Sequence, residues 1–539
     1  MNYLHSAESR RIDWRFLLSD HKPKICAVLS EGRLVQEARH IAEILIKPED
    51  SEHRDVCDLV VLSTPQNDLK RAFSLLKPGG TAYVEWHNLS ILSRAKIIKS
   101  NMEKAGFSDI VLYLPKPSPL TSPPKMWIPI GDAQIIKFLM NNEIDEGESR
   151  LKRFAKKIRL LLYIKLPSLF IHFPCLLSAN HKTFSICTIA SKPIANDEAT
   201  SAYDKTGKPQ SETRSIWDVV KKVIGTSKPL HQLSILMISN VNVSRKAIFY
   251  AFINSHPIPE CVIKVARIKD YDHALSHESS ILNVLHQNVG RGIRIPEVLF
   301  TGYSSDFFTV ANSFLSGVLL SKIVNDNNYR DLADKVTSWL IEFAKQTRAE
   351  SMNDSLKLHL SPSEKLSQLL SNGVLSREQA DLSKELITKI RLPYLVCEHG
   401  DFAPQNILLD SDSKNELGVL DWDESTLTGL PGVDLIFFLT YLTFNLKGNW
   451  YTIDFIEIYK ELLNPSSPTG NVFKDCVDRY AESLGIAQDT MSYLRHMTWL
   501  RRVQKELNGD LGKEKISAEV IQNRLHFKLY LEELRLSSK

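Results

Sequence analysis

The sequence predicts a chain in two parts, an α/β domain built on a parallel sheet and then a bilobal α+β domain. Three observations carry this. Short apolar runs alternate with stretches of helical spacing across residues 24–114. Residues 193–214 are polar, with almost nothing to bury, and read as a linker. After them come five strand-like runs and then long stretches with apolar residues at helical spacing. At 539 residues the chain is too long for one ordinary core, which agrees with more than one domain.

In the first part, residues 24–29 form a short apolar strand and residues 33–45 have helical spacing. Residues 56–62 are continuously apolar, as expected of a strand buried on both faces. Residues 68–76 read as a helix stopped by Lys77-Pro78-Gly79-Gly80. Residues 81–86 are the next strand, 91–105 a helix ended by Gly106, and 110–114 a further strand. Strands and helices alternating at this spacing give a parallel sheet.

Three segments here resemble the later half of the class I methyltransferase fold, a Rossmann-like domain that binds S-adenosylmethionine (SAM). They are Cys57-Asp58-Leu59-Val60-Val61-Leu62, Leu75-Leu76-Lys77-Pro78-Gly79-Gly80 and Ala105-Gly106-Phe107. The resemblance implies a methyltransferase-type domain over residues 1–192. That family closes its first strand with a glycine-rich turn, because the backbone approaches the cofactor closely there. Residues 25–32 of this chain hold a single glycine, Gly32, and no acidic residue to grip the ribose hydroxyls is evident after the next strand. The sequence thus supports a degenerate methyltransferase-like fold more than it supports a SAM site.

The second part, residues 215–539, divides into a small lobe (215–315) and a large lobe (316–539). Residues 216–224 are helical, and 233–238 and 247–252 are strands joined by a glycine-free connection rich in Ser and Asn. The next strand, 261–265, places Lys264 among apolar neighbours, where an ammonium is costly unless paired. Glu278, in the helical stretch that follows, is the expected partner. The plainer alternative is an edge-strand lysine whose ammonium reaches water. Residues 295–299 and 308–314 are the last strands of this lobe. Helical spacing then covers 332–347, 366–370, 382–390, 435–446, 455–463, 472–484 and 491–507.

Between these helices lies the stretch that organises the chain. An apolar run enters His399-Gly400-Asp401, and Asn406 follows, then apolar Ile407-Leu408-Leu409. A second apolar run, 417–420, ends in Asp421, and the polar turn 410–415 makes a hairpin the natural connection. The spacing suits phosphoryl transfer, which needs positioning and cations on the phosphate oxygens rather than covalent help. One Asp orients the acceptor hydroxyl, while an Asn and a second Asp offer the oxygen ligands that magnesium prefers. The alternative is a hairpin carrying incidental surface acids.

These residues resemble the aminoglycoside phosphotransferase and choline kinase-like family, which shares the protein-kinase fold. The matching motifs are His399-Gly400-Asp401 with Asn406, then Leu420-Asp421-Trp422, then Gly432-Val433-Asp434-Leu435. The resemblance implies a protein-kinase-like domain that uses ATP and Mg2+ to phosphorylate a hydroxyl of a small acceptor: a sugar, an amino alcohol or an aminoglycoside-like compound. Asp401 would be the base, Asn406 and Asp421 the metal ligands, Lys264 the phosphate clamp and Glu278 its brace. Ser239, Asn240 and Asn242 would contact the nucleotide phosphates, backbone groups of 313–315 would hold adenine, and Asp434 would brace the loop. His496, Trp499, Arg501 and Arg502 fall on helices that line the acceptor pocket in that family, though most are expected to be ordinary helix surface or core. A marked cluster of acids, as a cationic antibiotic would favour, is missing beyond Asp434.

Composition narrows the classes further. The chain is 43% hydrophobic and 24% charged, with a net charge of +4, which does not call for nucleic acid. Seven cysteines scattered without paired spacing favour a reducing compartment over disulfides or a zinc site. The first 20 residues lack an apolar signal core, so a cytoplasmic protein is expected. The apolar stretch 160–177 is interrupted by Lys165, Pro167, His172 and Pro174 and is not expected to span a membrane. Peripheral contact through Arg159 and Lys165 is the lesser reading. Two rivals remain at this level: a non-catalytic pseudokinase scaffold, and a SAM-dependent methyltransferase with an accessory kinase-like domain.

Overall fold

The computed structural model describes residues 10–46, 54–63, 68–87, 94–142, 185–194, 213–224, 233–238, 245–253, 256–290, 292–350, 363–410, 416–448, 450, 452–510 and 518–537. The chain forms two compact units, Met1–Ser279 with Glu297–Phe314, and Ser280–Pro296 with Leu315–Lys539. The expected phosphate-contacting residues Ser239, Asn240 and Asn242, the apolar stretch 160–177 and most of the stretch 193–214 lie outside the described residues. Among those described, no helix is long and apolar enough to cross a membrane.

The first unit is built on one sheet. Its strands are β1 (Ile25–Val28), β2 (Ile44–Ile46), β3 (Cys57–Ser63), β4 (Leu76–Trp86), β5 (Ser108–Lys116) and β6 (Met126–Pro129), then β7 (Ile186–Ser191), β8 (Leu233–Ile238), β9 (Lys246–Ile253), β10 (Cys261–Ala266), β11 (Val298–Ser304) and β12 (Phe307–Ser313). They lie in the order β2-β1-β3-β4-β7-β5-β6-β8-β9-β10-β12-β11. The first four pair in parallel. From β4 onward every pairing is antiparallel. The sheet is therefore mixed where the strand-helix alternation predicts a parallel one, because β7 arrives from far along the chain and slots between β4 and β5.

Helices α1 (Arg33–Arg39), α2 (Leu69–Leu75), α3 (Arg94–Lys104), α4 (Ala133–Asn142) and α5 (Ile216–Ile224) accompany these strands, and α6 (Asp272–Asn288) follows β10. The helical spacing expected over 33–45 ends at Arg39, because Ile44–Ile46 pairs with Ile25–Ala27 instead. Backbone pairing with β1 outweighs the apolar periodicity there. The helix expected over 68–76 stops at Leu75, and residues 77–80 then run within β4.

A 3-10 helix, Arg10–Leu17, inserts aromatic side chains into this unit's core. Trp14 stacks on Tyr83 of β4 with ring centroids 4.1 Å apart, and Phe16 meets Phe249 of β9 edge-on. Asp13 accepts a bidentate pair of bonds from Arg267 at 2.7–3.0 Å, with both side chains buried. Burial pushes the His21 imidazole down to about 3, helped by Arg15. The ring is then neutral, and Nε2 accepts the backbone N–H of Ile216 at 3.1 Å.

The second unit is mainly helical. It holds α7 (Leu320–Ile323), α8 (Tyr329–Gln346), α9 (Ser363–Ser371), α10 (Arg377–Thr388), α11 (Val433–Lys447) and α12 (Phe455–Leu463), then α13 (Pro468–Leu484), α14 (Gln488–Asp510), α15 (Ala518–Gln522) and α16 (Leu525–Ser537). α11 is apolar around its whole circumference and buried from Val433 to Phe444, which makes it the centre of the unit. Six short strands, β13 (Val318–Leu319), β14 (Ala349–Glu350), β15 (Tyr394–Glu398), β16 (Ile407–Asp410), β17 (Glu416–Val419) and β18 (Thr426–Gly429), form the sheets β13-β16-β17 and β14-β15-β18. The loop between β15 and β16 carries His399, Gly400, Asp401 and Asn406.

Candidate active site

β15 is buried along its length and delivers the chain into the loop at Glu398. The chain turns at Gly400, whose φ of +79° is strained for any other residue. A Cβ there would also run into the carbonyl oxygen of Glu424. The loop is then knitted by its own backbone, with Ala403 N donating to Asp401 O at 2.9 Å and Asn406 N to Ala403 O at 2.8 Å. The side-chain Nδ2 of Asn406 donates to Asp401 O at 2.9 Å and to Asp401 Oδ2 at 3.0 Å. With Nδ2 so committed, Oδ1 is the amide atom left to meet a cation.

Asp421 is tied to the same loop by the hairpin. The β16–β17 register pairs Ile407 with Val419, and the next residue, Leu420, donates its N–H to Asn406 O at 2.9 Å. Asp421 itself takes φ +65°, a left-handed conformation uncommon outside glycine and typical of functional sites. The residue before Asp421 is thus bonded to Asn406 across the hairpin. Asn406 and Asp421 offer oxygen donors only, which suits magnesium. Among the described residues no group of three or more His, Cys, Asp or Glu forms a further metal cluster.

Two buried side chains hold the loop. Asp434, at the start of α11, accepts the backbone N–H of His399 at 2.7 Å on Oδ2 and that of Gly400 at 3.2 Å on Oδ1. His399 donates from Nε2 to Leu420 O at 2.8 Å and accepts the Asp401 N–H on Nδ1 at 3.2 Å. One donor and one acceptor nitrogen require a neutral ring, and burial lowers the imidazole pKa accordingly.

α14 supplies a row of cations. Arg501 donates to Glu398 at 2.6 Å, Arg502 donates to Asp401 Oδ1 at 3.0 Å, and Lys505 pairs with Glu424. Positions 501, 502 and 505 share one helix face by their spacing. Burial pushes the Asp401 carboxyl up, but Arg502, Lys505 and His399 together outweigh it and hold the group below the usual carboxylate range. Asp401 is therefore ionised at neutral pH. Lys505 was not singled out from the sequence, although its three- and four-residue spacing from Arg502 and Arg501 was there to be read. Of the other expected wall residues, His496 is core, bonded to Ser383 at 2.8 Å, and Trp499 is core, donating to Tyr459 at 2.7 Å.

In the first unit, Lys264 Nζ lies 2.5 Å from Glu278 Oε1. β10 is flanked by β9 and β12, so Lys264 stands on an interior strand and is buried. Glu278 is fully buried on α6.

Residues 244–457 match the model of the phosphotransferase enzyme family, APH. The C-terminal part of the chain carries a domain of that family, with its kinase-like fold. Among solved structures, the chain is similar to the apo form of a thermostable mutant of aminoglycoside phosphotransferase APH(4)-Ia. The identity is 13%, the match covers 59% of this chain and 98% of that one, and the TM-score is 0.38. It is similar to the GDP complex of aminoglycoside 2'-phosphotransferase-IIIa at 15% identity, covering 60% and 97%, with a TM-score of 0.36. It is also similar to ADP-bound aminoglycoside phosphotransferase APH(2'')-Ib at 16% identity, covering 59% and 96%, with a TM-score of 0.34. No curated protein matches the chain.

Proposed function

We propose that the C-terminal part is a small-molecule phosphotransferase that moves the γ-phosphoryl group of ATP to an acceptor hydroxyl. The observation that carries this reading is the braced loop on which Asp401 and Asn406 share a hydrogen bond while Asp421 is pinned beside Asn406. Asp401, ionised and fixed from two sides, would accept the hydrogen of the acceptor hydroxyl and take its proton late. The hydroxyl oxygen forms the new bond to the γ-phosphorus. The bond from that phosphorus to the β–γ bridging oxygen breaks, and its electron pair leaves with ADP. Lys264, held by Glu278, would neutralise the nucleotide's phosphate oxygens. Asn406 and Asp421 would hold magnesium, which when bound screens charge on those oxygens.

For residues 1–192 we propose a methyltransferase-like scaffold without a working SAM site. The space outside the carboxyl ends of parallel strands is where such folds bind ligands. Beyond β1 and β4 that place is taken by Arg33, which pairs with Glu37 and with Glu85 of β4. Glu85 is further bonded by Tyr83 at 2.8 Å, and Trp14 donates to Glu37 at 3.0 Å. These residues do not fit a nucleoside cofactor.

The test is the unfolding midpoint of the whole chain with magnesium–ATP and with SAM, read alongside ADP release. A ligand at a hundred times its Kd stabilises by about 2.7 kcal/mol. A magnesium-dependent ATP shift that Asp421→Ala abolishes supports the reading. A shift with SAM and none with ATP overturns it.

A further inference from the structure

We infer that the acceptor is an anion, a hydroxyl compound carrying a carboxylate or phosphate group close to the hydroxyl that is phosphorylated. This rests on the phosphotransferase reading above. The hydroxyl must reach Asp401, and Asp401 is not met alone. Its Oδ2 takes Asn406 and its Oδ1 takes the guanidinium of Arg502. Whichever oxygen receives the hydroxyl, the rest of the acceptor lies beside a fixed positive charge.

Arg502 is held in place. Its guanidinium stacks on the ring of Phe437 of α11, 3.5 Å from the centroid, and the side chain is 11% exposed. Among the described residues its bond to Asp401 is the one hydrogen bond it makes, so a guanidinium with five N–H donors keeps most of them for a ligand. A planar fork of donors matches the paired oxygens of a carboxylate or phosphate. One turn further along α14, Lys505 sits in the field of Asp401, Asp421, Asp423 and Glu398. It is tethered to Glu424, and both side chains are more than a third exposed or close to it, at 43% and 35%. Ion pairs of that exposure are weak and exchange readily for a better partner. Arg501, by contrast, is committed to the buried Glu398. Two cations, one stacked and one loosely held, therefore stand beside Asp401, which the acceptor hydroxyl must reach. A cationic acceptor would bring its ammonium against them.

The experiment uses the full chain with magnesium–ATP and matched acceptors that share hydroxyls and differ in charge. The three-carbon set is glycerate, glycerol 3-phosphate, glycerol and 3-amino-1,2-propanediol; the hexose set is glucuronate, glucose 6-phosphate, glucose and glucosamine. Acceptor-dependent ADP release and phosphorus NMR of the product report transfer. The expected result is a kcat/KM at least tenfold higher for anionic members, with the carboxylate and phosphate arms telling which anion is taken. Arg502→Gln should remove that preference through KM, and Arg502→Lys should restore part of it. Equal or better use of neutral or amine-bearing members overturns the inference and leaves the phosphotransferase reading standing. So does an Arg502→Gln loss confined to kcat and equal for all acceptors. ATP hydrolysis that depends on Asp421, with no anionic member accelerating ADP release or raising the unfolding midpoint, also overturns the inference alone. Absence of both hydrolysis and a nucleotide-dependent midpoint shift overturns the two together.

Discussion

Asp401 carries the chemistry in this reading, and its neighbours carry Asp401. Replacing it with Asn keeps the shape and removes the proton acceptor. We expect Asp401→Asn to lower transfer by roughly 10²–10⁴-fold, the usual range for a positioned acid–base group, while the magnesium–ATP midpoint shift persists. Steady-state ADP release and a thermal melt on one preparation check both halves. Gly400 makes a second point at the same scale. Its positive φ and the Glu424 carbonyl against its α-carbon leave no room for a methyl group. Gly400→Ala should therefore cost stability by about 1–3 kcal/mol and misplace Asp401, so that denaturant midpoint and kcat fall together. The His-Gly-Asp pattern was legible in the sequence because its glycine is demanded by local backbone geometry. The Arg502 bond to Asp401 was not, since 101 residues separate the partners and no local rule connects them.

At the scale of elements, β10 and α6 meet through Lys264 and Glu278. Both are buried, so removing one takes away the other's counter-charge. Lys264→Met alone should cost about 3–5 kcal/mol, and adding Glu278→Leu should recover much of that stability without recovering nucleotide binding. A double-mutant cycle in urea, read with the ATP shift, separates the two roles. The junction of α11 with the His399–Asp401 loop gives a pH prediction. Burial and the neighbouring Glu398 push the Asp434 carboxyl up to about 7. In the unfolded chain the same group titrates near ~4. Between those values the native state holds a proton that the unfolded chain has lost, so stability declines as pH rises across that window. Asp401 is shifted downward, so its stabilising contribution is present above ~4 and does not oppose this trend. The buried neutral His21 and His399 add stability as pH rises toward ~6.5 and so oppose this contribution. The midpoint of the native chain minus that of Asp434→Asn should therefore fall from pH 5 to 7.5.

For the molecule as a whole, the consequence lies in the first unit's sheet. It runs without a break from β2 to β11, with β6 paired to β8, and the 3-10 helix Arg10–Leu17 packs against strands drawn from both halves of it. Asp13 neutralises Arg267, which lies just beyond β10 and is 1% exposed in its side chain. Asp13→Ala should therefore destabilise the unit that holds Lys264 by about 3–5 kcal/mol, since it removes the carboxylate that neutralises a buried guanidinium. Residues 215–539 expressed alone should melt well below the full chain and be cleaved faster by trypsin. Equal melting temperatures for the two chains would sink this expectation.

Local patterns alone determined much of this protein. The strands β1, β3, β8, β9 and β10, the helices α8 to α14 and the Asp401–Asn406–Asp421 spacing were readable, because apolar periodicity and glycine-bearing turns act over a few residues. Tertiary structure decided what distance along the chain conceals. It slotted β7 antiparallel between β4 and β5, turned the end of an expected helix into β2, and filled the ends of the parallel strands with Arg33, Glu37 and Glu85. It also laid one face of α14 against the loop that carries Asp401. Each of these is a pairing between residues far apart in sequence. Only folding determines which distant backbone or charge is near enough to compensate for leaving water.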